Sequence, residues 1–146
     1  AVLCGILLFF FPINTFYNEM LGNYRLLITG VESMDPTPKM QFSFWFTSPL
    51  WAITAFTVLL SAAAIFLYRN RLLQIRLITF SILFNILLVV LIFLFYTNKI
   101  QELTGIEPSY GQAGIFFPLV ALLFLILANR AIRKDESRVK AADRIR

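Results

Sequence analysis

The side chains that could do chemistry are few. Acids occur as two near pairs, Glu32 with Asp35 and Glu102 with Glu107, and paired carboxylates are common tools of general acid–base work. Their spacings differ, and both pairs sit in polar stretches where solvation is the simpler reading. The one cysteine, Cys4, has no second thiol for a disulfide and no histidine to activate it, because the chain contains no His. The same absence removes His-ligated haem and the usual zinc sets, and no glycine-rich phosphate loop is present. No catalytic, cofactor-binding or metal residue is therefore assigned. An enzyme ranks third among the readings, to be revived by a ligand-sized pocket at Glu32 or Asp35.

Two other sets of polar residues stand out by spacing. Ser81 and Asn85 are four apart and share a helix face; Thr57 and Ser61, across a short Arg-rich turn, can meet them, and Ala62, Ala63 and Ala64 permit close approach. These four are expected to pack helices together through interhelical hydrogen bonds of about 1 kcal/mol. The competing reading makes Asn85 a ligand contact. The second set is basic: Arg69, Arg71 and Arg76 in the turn "RNRLLQIR", and Arg130, Arg133, Lys134, Lys140 and Arg144 in the closing stretch "LILANRAIRKDESRVKAADRIR". Arg130, Arg133, Lys140 and Arg144, with Ser137 between, align as one helical stripe. Ile132, Val139 and Ala142 fall on another face, and Glu136 with Lys140 is a favourable pair. The stripe suits an anionic surface, either lipid headgroups or an acidic protein; nucleic acid is not an expected partner.

The elements that must position these sets are apolar. Hydrophobic residues make up 59% of the 146, charged residues 14%, and mean hydropathy is +0.77. A water-soluble domain cannot hide so much apolar surface. Leu50–Tyr68 and Leu77–Tyr96 each approach the roughly 20 residues that cross a bilayer core. Ala113–Ala128 can be extended at both ends, and Pro118 is expected to kink it. The run 1–12 spans only about 18 Å as a helix, so it reads as a first spanning helix truncated at its beginning. A secretory signal remnant is the rival, but "FFFP" stands where small residues would mark cleavage. Cys4 reads as an inert thiol in the membrane rather than a lipidation site. None of the three complete runs holds an ionisable residue, which the coupling sites of ion-driven transporters normally need.

Charge orients the whole. Arg69, Arg71, Arg76 and the seven basic residues of the tail 129–146 fall on one side; Arg25, Lys39 and Lys99 fall on the other. By the positive-inside rule both termini are cytoplasmic, as four helices require. Trp51 and Tyr68 mark opposite ends of one run, with Trp45, Tyr96 and Tyr110 in the belt on the Trp51 side. In the outer loop 13–49, "MQFSFWFT" alternates with period two, and "NYRLLITGV" is a plausible partner strand across the turn Asp35–Pro38. A two-stranded hairpin over the bundle mouth is expected, against an irregular aromatic loop. With no breaker after Ala113 except Pro118, the last helix is expected to continue past Ala128 into the cytoplasm.

The segments "LANRAIRKDE" and "AADRIR", with "LLFFFP" near the start and four helices, resemble an uncharacterised family of small inner-membrane proteins from Bacteroidota. The resemblance covers most of the chain and implies a multi-pass protein of the bacterial inner membrane; it brings no functional residue with it. The expectation is therefore an all-α, single-domain bundle of four transmembrane helices, with a small extracytoplasmic β-hairpin and a cytoplasmic helical extension. The leading function is a non-enzymatic accessory or assembly subunit of a larger membrane complex, with protein partners or further copies of itself. The alternative is a small oligomeric transporter or channel lined by Asn85, Ser81 and Thr57.

Overall fold

In the lipid-like part of the chain, burial follows the helix period but inverts the usual chemistry. The helix α2, Phe44–Phe66, buries Thr47, Leu50, Thr54, Thr57, Ser61 and Ala64, and turns Phe56, Leu59, Ile65 and Phe66 outward. The spacing of three and four alternates without a break, which is the seam of helices packed at a shallow angle. Small and hydroxylated residues let backbones approach, while large apolar ones face outward as a lipid solvent allows. The helix α3, Arg71–Val90, repeats the pattern with Ile78, Ser81, Asn85 and Leu88. These two helices lie against each other, and α3 also lies along α5, Phe116–Asp143. A short helix α1, Val2–Leu7, packs on α2 and α5.

This computed structural model describes residues 1–17, 23–34, 42–67 and 69–143, with side chains described as far as residue 139. Three helical segments are long and apolar enough to cross a membrane: Phe44–Phe66, Arg71–Thr104 and Ala113–Val139. The second holds 34 residues, about 51 Å at 1.5 Å per residue, so it outruns a hydrocarbon core of about 30 Å. Its far end is not uniform. After α3 the backbone widens into a π turn, Leu91–Tyr96, and resumes as α4, Thr97–Thr104. The Thr97 hydroxyl donates to the Ile92 carbonyl five residues back, at 2.8 Å. Gly105 then stops the helix with φ +68°, a left-handed cap that glycine adopts without steric cost.

Four short strands close this end of the bundle. They are β1 Asn14–Phe16, β2 Tyr24–Leu26, β3 Val31–Ser33 and β4 Pro108–Ser109, in the order β3-β2-β1-β4. All pairings are antiparallel, with Thr15 opposite Arg25, Arg25 opposite Glu32, and Thr15 opposite Ser109. The β2–β3 turn is closed by the Leu27 amide donating to the Gly30 carbonyl at 2.8 Å. Phe16, Leu26, Ile28, Leu50, Ile92, Tyr96, Ile100 and Ile115 form one apolar core under the sheet.

Several expectations are corrected. "NYRLLITGV" holds β2 and opens β3, so it forms a hairpin with Val31–Ser33 inside a four-stranded sheet, and the described residues of "MQFSFWFT" supply no strand: Phe42 and Ser43 are irregular and Phe44–Thr47 begin α2. The alternating Phe residues are a helix entry, with Phe42 and Phe46 packed against the core and Phe44 exposed. Met40, Gln41 and the turn at Asp35–Pro38 lie outside the described residues. The loop expected from Thr97 opens with α4, and Arg71 and Arg76 lie on α3 rather than in a turn. Pro118 is the third residue of α5, in a first turn whose N–H groups need no helical acceptor. The proline inside a helix is Pro49 of α2; it cannot donate to the Trp45 carbonyl, and the Ser48 hydroxyl does so instead at 2.8 Å. The last helix does run on past Ala128, to Asp143.

Candidate functional site

Three places on the molecule concentrate polar groups in apolar surroundings. The first is the seam predicted from Thr57, Ser61, Ser81 and Asn85. All four are buried, at 7%, 6%, 0% and 3% exposure, and the structure brings three of them together. Thr57, Ser61 and Asn85 line one small cavity with Thr54, Gly5 and Ala121. Its free volume is about 10 Å³, room for about one water molecule. The expected interhelical hydrogen bonds are not made. Thr54, Thr57 and Ser81 donate back to the carbonyls of Leu50, Ile53 and Leu77 on their own helices, at 2.8, 2.8 and 3.0 Å. That leaves the Ser61 Oγ and the Asn85 Oδ1 buried with no protein partner. A buried, unpaired polar atom costs about 1–3 kcal/mol, a cost shared by the Asn14 Oδ1, Arg25 Nε and Trp51 Nε1 elsewhere in the described residues.

The second place was not read from the sequence. Where the sheet meets α4, Asn14 is wholly buried and donates from Nδ2 to the Thr97 Oγ1 at 3.0 Å. The π turn sets this geometry: it brings Tyr96 and Thr97 inward side by side, both essentially buried. The Tyr96 hydroxyl donates to the Phe46 carbonyl at 2.8 Å and so ties the turn to the start of α2. Thr47 donates to the Thr29 carbonyl at 3.0 Å, and Gln112 donates to the Thr15 hydroxyl at 3.3 Å. Tyr96 is therefore a core residue and not a member of an interfacial belt, whereas Trp45 and Tyr110 are exposed at 78% and 48%. Tyr68 lies outside the described residues. The only sequence signal for this network is the run of small polar residues Asn14, Thr15 and Thr97 beside apolar stretches.

The third place is the opposite, basic end. Arg69, Arg71, Arg76, Arg130, Arg133 and Lys134 are all exposed, and Arg133 lies beside Arg76 where α5 runs along α3. Arg133 donates from Nε to the Asn129 Oδ1 at 2.9 Å, and Asn129 Nδ2 reaches the Thr79 hydroxyl of α3 at 3.3 Å. Lys140 lies in α5, but its side chain, like all of Arg144, lies outside the described residues. The acids are dispersed: Glu102 is paired with Lys99 at 2.8 Å, and Glu32 stands exposed on β3. Among the described residues no three His, Cys, Asp or Glu side chains come together as a metal cage would need.

Comparison with known proteins gives one match. Residues 1–145 fit the family described as a domain of unknown function, DUF4293, and the chain belongs to that family. No curated protein matches, and no solved structure matches.

Proposed function

We propose that this chain is a non-enzymatic accessory or assembly subunit of a larger complex in a bacterial inner membrane. It crosses the membrane four times and keeps both termini in the cytoplasm. The observation that carries the proposal is the unbroken α5. This helix continues without a breaker to Asp143 and presents exposed Arg130, Arg133, Lys134 and Arg138, while its inner side rests on α3 at Asn129 and Ile132. Ordering such an extension has an entropic cost, and a binding surface is the physical use that fits it. The partner is an acidic face of a membrane protein or the anionic headgroup layer.

Mild-detergent purification followed by mass spectrometry of co-purifying chains tests this. The native tail should retain a defined partner, and a tail scrambled at constant composition should lose it. Equal recovery from both would reduce the tail to a topology signal. A second reading, a small oligomeric transporter, draws support from the unpartnered Ser61 Oγ and Asn85 Oδ1. Solute flux in vesicles that is lost in Asn85→Leu, with folding intact, would favour it over the subunit.

A further inference from the structure

Apart from the tail, the basic end contains a groove of defined shape. It runs along the outer face of α3, from Ile75 and Arg76 past Thr79, Phe80 and Leu83 to Ile86, and Arg133 of α5 overhangs its polar end. Its volume is about 440 Å³. From Arg76 to Ile86 is about 15 Å of helix, half of a hydrocarbon core of about 30 Å and thus the depth of one leaflet. Walls of Phe80, Leu83 and Ile86, each 44–60% exposed, are apolar throughout that depth. At the mouth stand two guanidinium groups, and among the described residues neither pairs with a carboxylate. Arg133 is also held in place through Asn129 and Thr79, which fixes one donor fork beside the groove.

An apolar trough one leaflet deep, capped by two cations on different helices, has the complement of a single phospholipid. From this we infer that the groove binds one phospholipid with an anionic headgroup, its phosphate between Arg76 and Arg133 and an acyl chain along Phe80, Leu83 and Ile86. Arg suits this role because its planar fork can meet two phosphate oxygens at once. Basic pockets between helices near the cytoplasmic face are a known physical solution for headgroup recognition. The inference rests on the membrane placement proposed above, but not on the existence of a protein partner.

The test is native mass spectrometry of the full chain, titrated with phosphatidylglycerol and with phosphatidylcholine of identical acyl chains. The expected result is one tightly held phosphatidylglycerol, preferred on the order of tenfold, since each basic side chain near a headgroup adds measurable affinity. Arg76→Gln with Arg133→Gln should bring it to the phosphatidylcholine level. Arg69→Gln with Arg71→Gln removes the same charge outside the groove lining and should leave the preference intact. Leu83→Trp, which fills the trough, should weaken both lipids. Equal loss from the two Arg pairs would show diffuse attraction to a basic surface and overturn the site. Displacement by inorganic phosphate at concentrations comparable to the lipid would equally overturn it, by making the acyl trough irrelevant. Loss of co-purifying protein with retained phosphatidylglycerol preference would count against the subunit reading alone.

Discussion

The two ends of this bundle are built differently. At the sheet end, Asn14–Thr97, Thr47–Thr29, Tyr96–Phe46 and Gln112–Thr15 bonds tie β1, loops, α2, α4 and the π turn together. A continuous core from Leu8 to Ile115 lies beneath them. At the basic end the corresponding cluster is Ala64, Ile78 and Leu125. The cross-helix polar contacts there are Gln74 to the Ala64 carbonyl at 3.0 Å and Asn129 to Thr79 at 3.3 Å. One end spends its polar groups on its own structure; the other leaves cations exposed. Stability should therefore reside in the first and recognition in the second.

If so, the largest losses of stability come from the sheet end. Gly114 lies where the chain passes the end of α1, and its amide donates to the Pro12 carbonyl at 3.2 Å. A Cβ there would meet Pro12 and Phe11 backbone atoms, at 2.7 Å from the Pro12 carbonyl carbon and 2.9 Å from the Phe11 oxygen. Backbone cannot rotate away as a side chain can, so Gly114→Ala should cost about 3 kcal/mol or more. A thermal melt of the detergent-purified protein would read this as a large drop in Tm or as failure to fold. Unchanged stability would mean that the close approach of the turn Ala113–Ile115 to the Phe11–Pro12 backbone is not rigid.

Asn14→Leu comes next. It removes a wholly buried donor from Thr97 while leaving the surrounding polar backbone in place, and about 2 kcal/mol should be lost. Thr97→Val in the same background should then cost less than it does alone, because only its bond to the Ile92 carbonyl is left to lose; full additivity in that double-mutant cycle would deny the Asn14–Thr97 bond. Gly105→Ala is smaller. Nothing crowds the position, so the cost is that of placing a Cβ-bearing residue at φ +68°, about 1 kcal/mol.

The smallest effect is expected in the mid-bundle seam. Because Asn85 Oδ1 has no protein partner, Asn85→Leu replaces an unpaired polar atom by an apolar one and should change stability by less than about 1 kcal/mol, in either direction. A loss well beyond that would mean that the roughly 10 Å³ cavity holds something bound by Asn85.

The contrast between the ends also explains what could be read in advance. The three helices long and apolar enough to cross a membrane were legible because apolar runs of this length have few other uses, and the continuation of α5 because nothing between Ala128 and Asp143 breaks a helix. The boundaries were less so. Phe42, Phe44 and Phe46 mimic a strand by period, yet the burial of Thr47, Leu50, Thr54 and Thr57 sets the helix, and that seam is polar enough to escape an apolar pattern. The segment Thr97–Thr104 looks like loop because Lys99, Gln101 and Glu102 crowd its surface. Its inward face, Thr97, Ile100 and Thr104, is visible only once the π turn has reset the helix phase. The strands β1 and β4 hold three and two residues, too few to carry a period, and they pair with each other across most of the chain. Of the four seam residues, Thr57, Ser61 and Asn85 line one cavity, while the Thr57 and Ser81 hydroxyls turn to the nearer carbonyls of their own helices.

The central claim is that recognition belongs to the basic end and not to the sheet. It is tested most directly by placing a photo-crosslinking amino acid at Ser137 on α5, or at Glu32 on β3, in otherwise native membranes. Both residues are exposed. The account predicts a discrete protein adduct from Ser137 that disappears when the tail is scrambled, and none from Glu32. An adduct from Glu32 with none from Ser137 would contradict it, and would make the sheet the surface by which this family meets its partners.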